Sequence, residues 1–124
     1  EELLAAHDCI QIINVWRSIH GAIANFPLVV CDQRTVDAAD IVSVERKSAQ
    51  RRGEIQMAAY HPNQRWWYFP QMTMDEALLI QTWDSVKYCR PIHTSFDDPT
   101  APIDAAPRAS IETRCIVFIK TKTS

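Results

Sequence analysis

The sequence predicts a mainly antiparallel β protein, either a sandwich or a jelly-roll barrel. Six short runs are rich in β-branched, aliphatic or aromatic residues, and polar or turn-forming stretches separate them. The chain has seven prolines but only two glycines, and little of it shows helical periodicity. Because 124 residues make one domain or a part of one, we predict a single domain over 1–124 with one or two short helices.

The first predicted elements are a short helix and two buried strands. Acidic residues lead a Leu/Ala face in 1–9 (EELLAAHDC), which is typical of a short amphipathic helix. Residues 10–16 (IQIINVW) and 26–32 (FPLVVCD) are apolar on both faces, which indicates buried strands. Pro27 lacks a backbone N–H and therefore stands at the start or the edge of its strand.

The middle of the chain predicts a long polar connection followed by a β-hairpin. The connection covers 33–53 and ends at Gly53, and connections of such length are often functional or mobile. Two further runs follow at 54–61 (EIQMAAYH) and 64–70 (QRWWYFP). The HPN sequence between them indicates a tight turn, so we expect these two runs to pair.

The C-terminal third predicts a turn and two further strands. Thr73 and Glu76 have the spacing of a capping box, which favours a single turn at the start of 72–85. The remainder of that segment contains β-branched and aromatic residues that prefer extended backbone. Residues 110–120 (SIETRCIVFIK) alternate and then become wholly apolar, which indicates a strand that enters the core.

Charge and cysteine content exclude several functional classes. The formal net charge is −2, with 13 basic and 15 acidic residues, so no general field favours nucleic acid or anionic lipid. No apolar run approaches the roughly 20 residues that cross a bilayer. Cys9, Cys31, Cys89 and Cys115 are too widely spaced for a zinc ribbon or a dense disulfide scaffold. We therefore expect free thiols and a reducing, cytoplasmic compartment.

The proline-rich stretch 90–110 (RPIHTSFDDPTAPIDAAPRAS) raises the main functional question. It places His93 at a strand end, and Arg108 with Ser110 at the start of the last long strand. Side chains two residues apart on a strand share a face, and arginine can hold a carboxylate by two parallel hydrogen bonds. Two histidines and one carboxylate leave positions open on Fe(II) for a 2-oxo acid and dioxygen. On the residues alone, a polar surface loop and half of a metal and oxo-acid site both remain open.

Several segments, in order, resemble one family of secondary-metabolism proteins, the AsaB/CmcJ-like group, which includes a cephem 7α-methoxylase/hydroxylase component. The similarity runs from about residue 10 to 119 and is carried by IINVWRSI, FPLVVCDQRTVDAADIV, HPNQRWWYFPQMTMDEALLIQTWDS, HTSFDDPTAP and PRASIETRCIVFI. The resemblance implies a jelly-roll (double-stranded β-helix) core and an Fe(II)/2-oxoglutarate-dependent oxygenase. It also implies a small secondary-metabolite substrate that is hydroxylated, desaturated or otherwise oxidised.

The resemblance also implies roles for individual residues. His93 of HTSFDDP matches the distal iron-binding histidine of the family. Arg108 and Ser110 match the clamp on the far carboxylate of 2-oxoglutarate.

Three further residues are weaker candidates for the co-substrate pocket. Asn14 and Arg17 lie in the NVWR segment, where polar groups on a buried strand need partners, so structural pairing is an equal alternative. Tyr68 belongs to an aromatic run that is predicted as core and rim first and as a substrate-facing wall second.

One departure from the family pattern concerns the metal. The family takes its other two iron ligands from an upstream H-x-D motif, and this sequence contains none. His7 and Asp8 are adjacent and would point to opposite faces of a strand. We therefore predict the C-terminal portion of a longer oxygenase, with an incomplete jelly-roll and no activity by itself. The alternative is a non-catalytic accessory β module that partners a methyltransferase or another biosynthetic enzyme, and a homodimer is also open.

Overall fold

The computed structural model describes residues 6–50, 52–89 and 91–120. Within these residues lie eight strands, namely β1 (Cys9–Ser18), β2 (Leu28–Cys31), β3 (Ile41–Lys47), β4 (Arg52–Ala58), β5 (Trp66–Tyr68), β6 (Leu78–Asp84), β7 (His93–Ser95) and β8 (Ser110–Ile119). Two short 3-10 helices, Gln33–Thr35 and Ala38–Asp40, follow β2. The prediction of a mainly β protein is confirmed, but the two short helices lie in 33–40, where the sequence predicts no helix.

The first sheet, sheet A, is antiparallel with the strand order β6-β1-β8. Strands β1 and β8 pair without interruption from Cys9 opposite Ile119 to Ser18 opposite Ser110. The pairing of β1 with β6 shifts register at a β-bulge after Ile12. Sheet A is therefore built from the two strands that the sequence predicts best, with β6 on one side of β1 and β8 on the other.

The second sheet, sheet B, is antiparallel with the strand order β5-β2-β7. Val30 lies opposite Trp67 on one side and opposite His93 on the other. Val29 lies opposite Tyr68 and Thr94. Because direct cross-strand partners share a face and successive residues alternate, these two sets point to opposite faces of sheet B.

Sheets A and B pack face to face around a small apolar core. Trp16 and Ile80 from sheet A are buried together with Ile23 and Met72, and Leu28 of sheet B packs against them. Burying side chains of this size contributes roughly 1.5–3 kcal/mol each. The faces that carry Trp16 and Leu28 are therefore the inner faces of the two sheets.

The prediction of a long polar connection over 33–53 is wrong. The carboxylates of Asp32 and Asp37 cap the two 3-10 helices. Strands β3 and β4 then form a separate two-stranded sheet. Its alternating apolar residues are few and stand among charged ones, so they are hard to recognise in the sequence.

The predicted hairpin between 54–61 and 64–70 is also wrong. Strand β4 pairs with β3, whereas β5 pairs with β2. The HPN sequence does form a turn, in which the N–H of Gln64 donates to the carbonyl of His61 at 3.1 Å. After this turn the segment pairs with β2 and not with β4. The N–H of Asp32, just after β2, donates to the carbonyl of Arg65 at 2.8 Å.

The other predictions of local structure are largely confirmed. The predicted strands at 10–16, 26–32 and 110–120 are present as β1, β2 and β8. Glu76 accepts a hydrogen bond from the N–H of Thr73 at 2.8 Å, and the resulting turn leads into β6.

The predicted helix over 1–9 lies partly on residues 1–5, which are outside the described ranges. Its remaining residues form a turn, a bend and the start of β1. The described residues include no helix with the length and apolar character of a membrane span.

Candidate functional site

His93 begins β7 and is half-buried on the inner face of sheet B. Its Nδ1 atom lies 2.6 Å from the carbonyl oxygen of Pro91. A carbonyl can only accept, so Nδ1 carries a proton and donates, which leaves Nε2 as the ring nitrogen that could bind a metal. Metal-binding histidines are held in the same way, because the hydrogen bond fixes both the tautomer and the orientation of the ring.

A cavity of about 410 Å³ lies beside His93. Val30 and His93 line it from sheet B, and Leu78 and Ile80 line it from sheet A. A volume of this size is within the usual range of small-molecule sites. The imidazole is therefore placed at the wall of a mainly apolar space bordered by β2 and β6.

Two of the four free cysteines, Cys31 and Cys89, also line this cavity. Burial raises the pKa of both thiols above its ordinary value. The thiols are therefore protonated at neutral pH, whereas a nucleophile or a metal ligand must be a thiolate. We assign Cys89 to the apolar lining of the cavity, whereas the Cys31 thiol shares the face of Val29 and lies 3.9 Å from the hydroxyl of Thr35.

Arg108 lies two residues before β8, where the ladder continues because the N–H of Ile19 donates to the carbonyl of Ala109 at 3.1 Å. Its guanidinium carbon is 5.7 Å from the centre of the Trp16 ring. Its Nη1 donates to the carbonyl of Phe26 at 2.6 Å. Arg108 has no ion pair with a carboxylate in the described part of the chain. The guanidinium is thus held in one orientation while its charge remains available to an anion.

Ser110 stands opposite Ser18 in the ladder between β1 and β8. Trp16 and Ser18 are two residues apart on β1, so Ser110 shares the inner face of sheet A with Trp16. Arg108 contacts the Trp16 ring and therefore lies on this same side. The R-x-S spacing places both side chains where the sequence predicts them, on one face.

Arg108 and His93 approach the space between the sheets from different places. Leu78 lines the cavity beside His93 and lies opposite Trp16 in the ladder between β1 and β6. The guanidinium of Arg108 lies over the Trp16 ring. Arg108 does not itself line that cavity. Phe26, which bonds Arg108, and Val30, which lies opposite His93, are four positions apart in the chain. Their Cα atoms are therefore separated by at most about 13 Å of extended backbone.

Asn14 and Arg17 do not meet His93. Asn14 is buried, its amide donates to the carboxylate of Glu112, and its Oδ1 accepts from Nε of Arg114 at 3.1 Å. Both ends of the amide are thus used in pairing β1 with β8. Arg17 is exposed on the opposite face of sheet A from Trp16, and its Nε donates to a backbone carbonyl at 3.2 Å.

Tyr68 does not meet His93 either. It shares the face of Val29, which is the outer face of sheet B, and its ring packs edge-on against Phe96 at 5.2 Å. Phe69 lines the cavity instead. The period-two alternation of the aromatic run could have separated Tyr68 from its neighbours, but only once one inward-facing residue was known.

The described residues do not bring together a complete metal site. They contain no group of three or more His, Cys, Asp or Glu side chains that could hold a metal ion. His93 suits iron as a single imidazole ligand, because it lines a cavity and the carbonyl of Pro91 fixes its Nδ1. Arg108 suits a dicarboxylate as one fixed cation.

Similar proteins cover nearly the whole chain. It is 36% identical over 119 residues to aspirochlorine biosynthesis protein N of Aspergillus oryzae. This alignment covers 90% of the chain and 49% of that protein. It is 32% identical to the Fe(II)/2-oxoglutarate-dependent dioxygenase nvfI of Aspergillus novofumigatus, over 87% of the chain and 40% of that protein. It is 31% identical to the hydroxylase/desaturase asaB of Aspergillus flavus, over 88% of the chain and 55% of that protein. The chain spans about half the length of these relatives.

A solved structure and a family model agree with these relatives. The iron and alpha-ketoglutarate-dependent endoperoxidase NvfI superposes with a TM-score of 0.83 at 29% identity, over 97% of this chain and 45% of that one. This likeness confirms the predicted jelly-roll fold class. The family model described as an Oxidoreductase/YMDC permease-like domain matches residues 1–118. The chain therefore belongs to this oxidoreductase family, and its sequence relatives include the hydroxylase/desaturase asaB.

Proposed function

We propose that this chain is the C-terminal portion of an Fe(II)- and 2-oxoglutarate-dependent oxygenase that oxidises a small secondary metabolite. The observation that carries the proposal is the presence of two oriented polar groups, the His93 imidazole and the Arg108 guanidinium. His93 has its Nδ1 fixed by a backbone carbonyl and lines a mainly apolar cavity, and Arg108 is a fixed cation without a carboxylate partner in the described ranges. Relatives described as Fe(II)/2-oxoglutarate-dependent enzymes, hydroxylases and desaturases support the same class.

The residues of this chain would contribute half of the site. His93 would bind Fe(II) through Nε2, and the carbonyl of Pro91 would keep the ring in the correct tautomer. Arg108 and Ser110 would hold the far carboxylate of 2-oxoglutarate on the inner face of sheet A. When bound, the iron and 2-oxoglutarate supply the oxidising chemistry by activating dioxygen with loss of carbon dioxide from the oxo acid.

The remaining iron ligands would come from the part of the protein that this chain does not include. The chain covers 49% and 40% of two relatives, and its described residues form no three-ligand group. We propose that an H-x-D motif in that other part supplies a histidine and a carboxylate. By itself the chain would then be inactive, because one imidazole does not hold Fe(II) against water.

Compartment and partners are further parts of the proposal. The free thiols support a reducing, cytoplasmic location. In sheet A the outer edge of β8 has no strand partner among the described residues. Such an edge needs a cover, which the rest of the protein, a second copy in a homodimer or a partner enzyme would provide.

Binding of 2-oxoglutarate to the full-length protein tests the proposed function. Calorimetry with Fe(II) under anaerobic conditions should show one site per protein. The variant Arg108→Leu should weaken 2-oxoglutarate binding at least about tenfold, because it removes a charge-assisted clamp. The matched control Arg17→Leu should bind normally, because Arg17 is exposed on the other face of sheet A.

Two outcomes separate the proposal from its alternative. The oxygenase is supported if the natural protein and Arg17→Leu bind 2-oxoglutarate and Arg108→Leu does not. A full-length protein that binds neither Fe(II) nor 2-oxoglutarate would instead be an accessory β module.

A further inference from the structure

Phe26 has a backbone conformation that bulky residues avoid. Its φ is 51°, in the left-handed region, and the residue after it is a proline, which restricts its backbone further. Its side chain is 44% exposed, so packing of the ring does not explain the conformation. Strained residues of this kind persist only where surrounding contacts hold them.

Asn25 supplies those contacts. Its Oδ1 accepts from the N–H of Phe26 at 2.7 Å and from the N–H of Asp98 at 3.1 Å. Its Nδ2 donates to the carboxylate of Asp97 at 3.3 Å. Asp97 and Asp98 belong to the loop that follows β7, the strand that begins with His93. One amide therefore joins the segment before β2 to the loop that follows the strand of the proposed iron ligand.

The conformation of Phe26 determines where its carbonyl points. That oxygen accepts from Nη1 of Arg108 at 2.6 Å, while Trp16 packs on the guanidinium at 5.7 Å. A guanidinium is planar, so one fixed N–H and one aromatic neighbour together determine which edge it turns to a ligand. A change of φ at Phe26 would rotate this carbonyl away from Arg108.

We propose that Asn25 and Phe26 are positioning residues for the co-substrate arginine. Asn25 holds Phe26 in its left-handed conformation, and the carbonyl of Phe26 orients Arg108 to receive the far carboxylate of 2-oxoglutarate. The proposal rests on the proposed function of Arg108. It goes beyond that function because it assigns roles to two residues that would act through Arg108.

Two substitutions of Phe26 in the full-length protein give a matched test. Glycine adopts positive φ without strain, so Phe26→Gly should bind 2-oxoglutarate within about twofold of the natural protein. Valine is β-branched and disfavours positive φ, so Phe26→Val should bind roughly tenfold more weakly. The measurement is anaerobic calorimetry with Fe(II) and 2-oxoglutarate, together with the melting temperature of each protein.

A second pair of variants tests whether Asn25 acts through Phe26. Asn25→Leu keeps the approximate shape and removes the acceptor, so 2-oxoglutarate should bind several-fold more weakly in the same calorimetry, while the affinity for Fe(II) stays the same. Adding Phe26→Gly to Asn25→Leu should restore most of the 2-oxoglutarate affinity, because glycine needs no help to keep this φ. A merely structural role would lower the melting temperature without this rescue.

The outcomes distinguish the inference from the proposed function. If the natural protein binds 2-oxoglutarate, Arg108→Leu does not, and folded Phe26→Val and Asn25→Leu bind normally, the inference is wrong and the function stands. If Phe26→Val does not fold, the absence of rescue in the double variant overturns the inference. If the natural protein does not bind 2-oxoglutarate at all, both are wrong.

Discussion

Val30 lies directly opposite His93 in the ladder between β2 and β7. Because cross-strand partners share a face, the aliphatic side chain and the imidazole turn together toward sheet A. Both line the cavity there, together with Leu78 and Ile80. The imidazole therefore lies beside aliphatic groups that cannot bind a metal ion. The carbonyl of Pro91 holds Nδ1, so the orientation of the ring and of Nε2 is fixed.

Replacement of His93 should abolish iron binding. His93→Ala removes the Nε2 ligand, so the affinity of the full-length protein for Fe(II) should fall by more than the roughly 10- to 100-fold that loss of a supporting hydrogen bond costs, and little iron should remain bound. Metal analysis after anaerobic loading measures the effect. His20→Ala is the control, because His20 is exposed in the turn after β1. Normal iron content in His93→Ala would contradict the proposed role.

Two neighbouring residues of β6 should differ sharply in their effect on stability. Ile80 is 7% exposed in the core, whereas Leu79 is 70% exposed on the other face of the same strand. Ile80→Ala should lower the free energy of unfolding by about 2–5 kcal/mol, because it leaves a cavity. Leu79→Ala should change it by less than about 0.5 kcal/mol. Urea unfolding of the full-length protein measures both, and equal effects would show that sheet A is packed differently.

Asn14 should contribute to stability and not to co-substrate binding. Its buried amide is engaged by Glu112 and Arg114 at once. Asn14→Ala leaves these two groups without their partner, so unfolding should become easier by about 1–3 kcal/mol. The 2-oxoglutarate affinity of the folded variant should stay within about twofold. A large loss of affinity at unchanged stability would place Asn14 in the co-substrate pocket.

Asp84 should make stability dependent on pH in the acid range. Hydrogen bonds from the N–H groups of Lys87 and Val86 lower the pKa of this carboxyl to about 2, while an unfolded aspartate has a pKa of about 3.9. The folded state therefore binds this proton less readily, and the stabilisation is present above pH 4 and is lost as the pH falls toward 2.

A comparison of melting temperatures against pH measures this contribution. Asp84→Asn should melt lower than the natural protein at pH 6, and the difference should narrow below pH 4. Asp104→Asn, at an exposed position, serves as the control. A difference that does not depend on pH would mean that the carboxylate charge is not what stabilises the turn.

The sequence predicted those elements whose residues satisfy a local rule. The β1 and β8 segments are long and apolar enough to be identified as strands without knowledge of their partners. The hairpin of β3 and β4 was missed, because Val42, Val44 and Ile55 remain at least 37% exposed and stand among charged residues. The partner of β5 was also missed, because pairing with β2 depends on distant burial and not on the adjacent turn.

The candidate site divides in the same way. Period two correctly placed Ser110 with Arg108 on one face, because that rule needs only sequence spacing. No pattern indicated the left-handed Phe26, since phenylalanine is not a residue that favours positive φ. Nor could sequence alone place Tyr68 on the outer face of sheet B, because alternation does not say which of its two phases faces inward.

The ladder between β1 and β8 has a consequence for biosynthesis. Cys9 at the start of β1 pairs with Ile119 at the end of β8, so almost the entire chain separates the two residues. Strand β1 therefore leaves the ribosome long before all of β8 has been synthesised. Contacts between residues so distant in sequence form late, because a large loop must close first. Until then the apolar edge of β1 is open to wrong pairings, and a chaperone that delays collapse until translation passes Ile119 would raise the yield of folded protein.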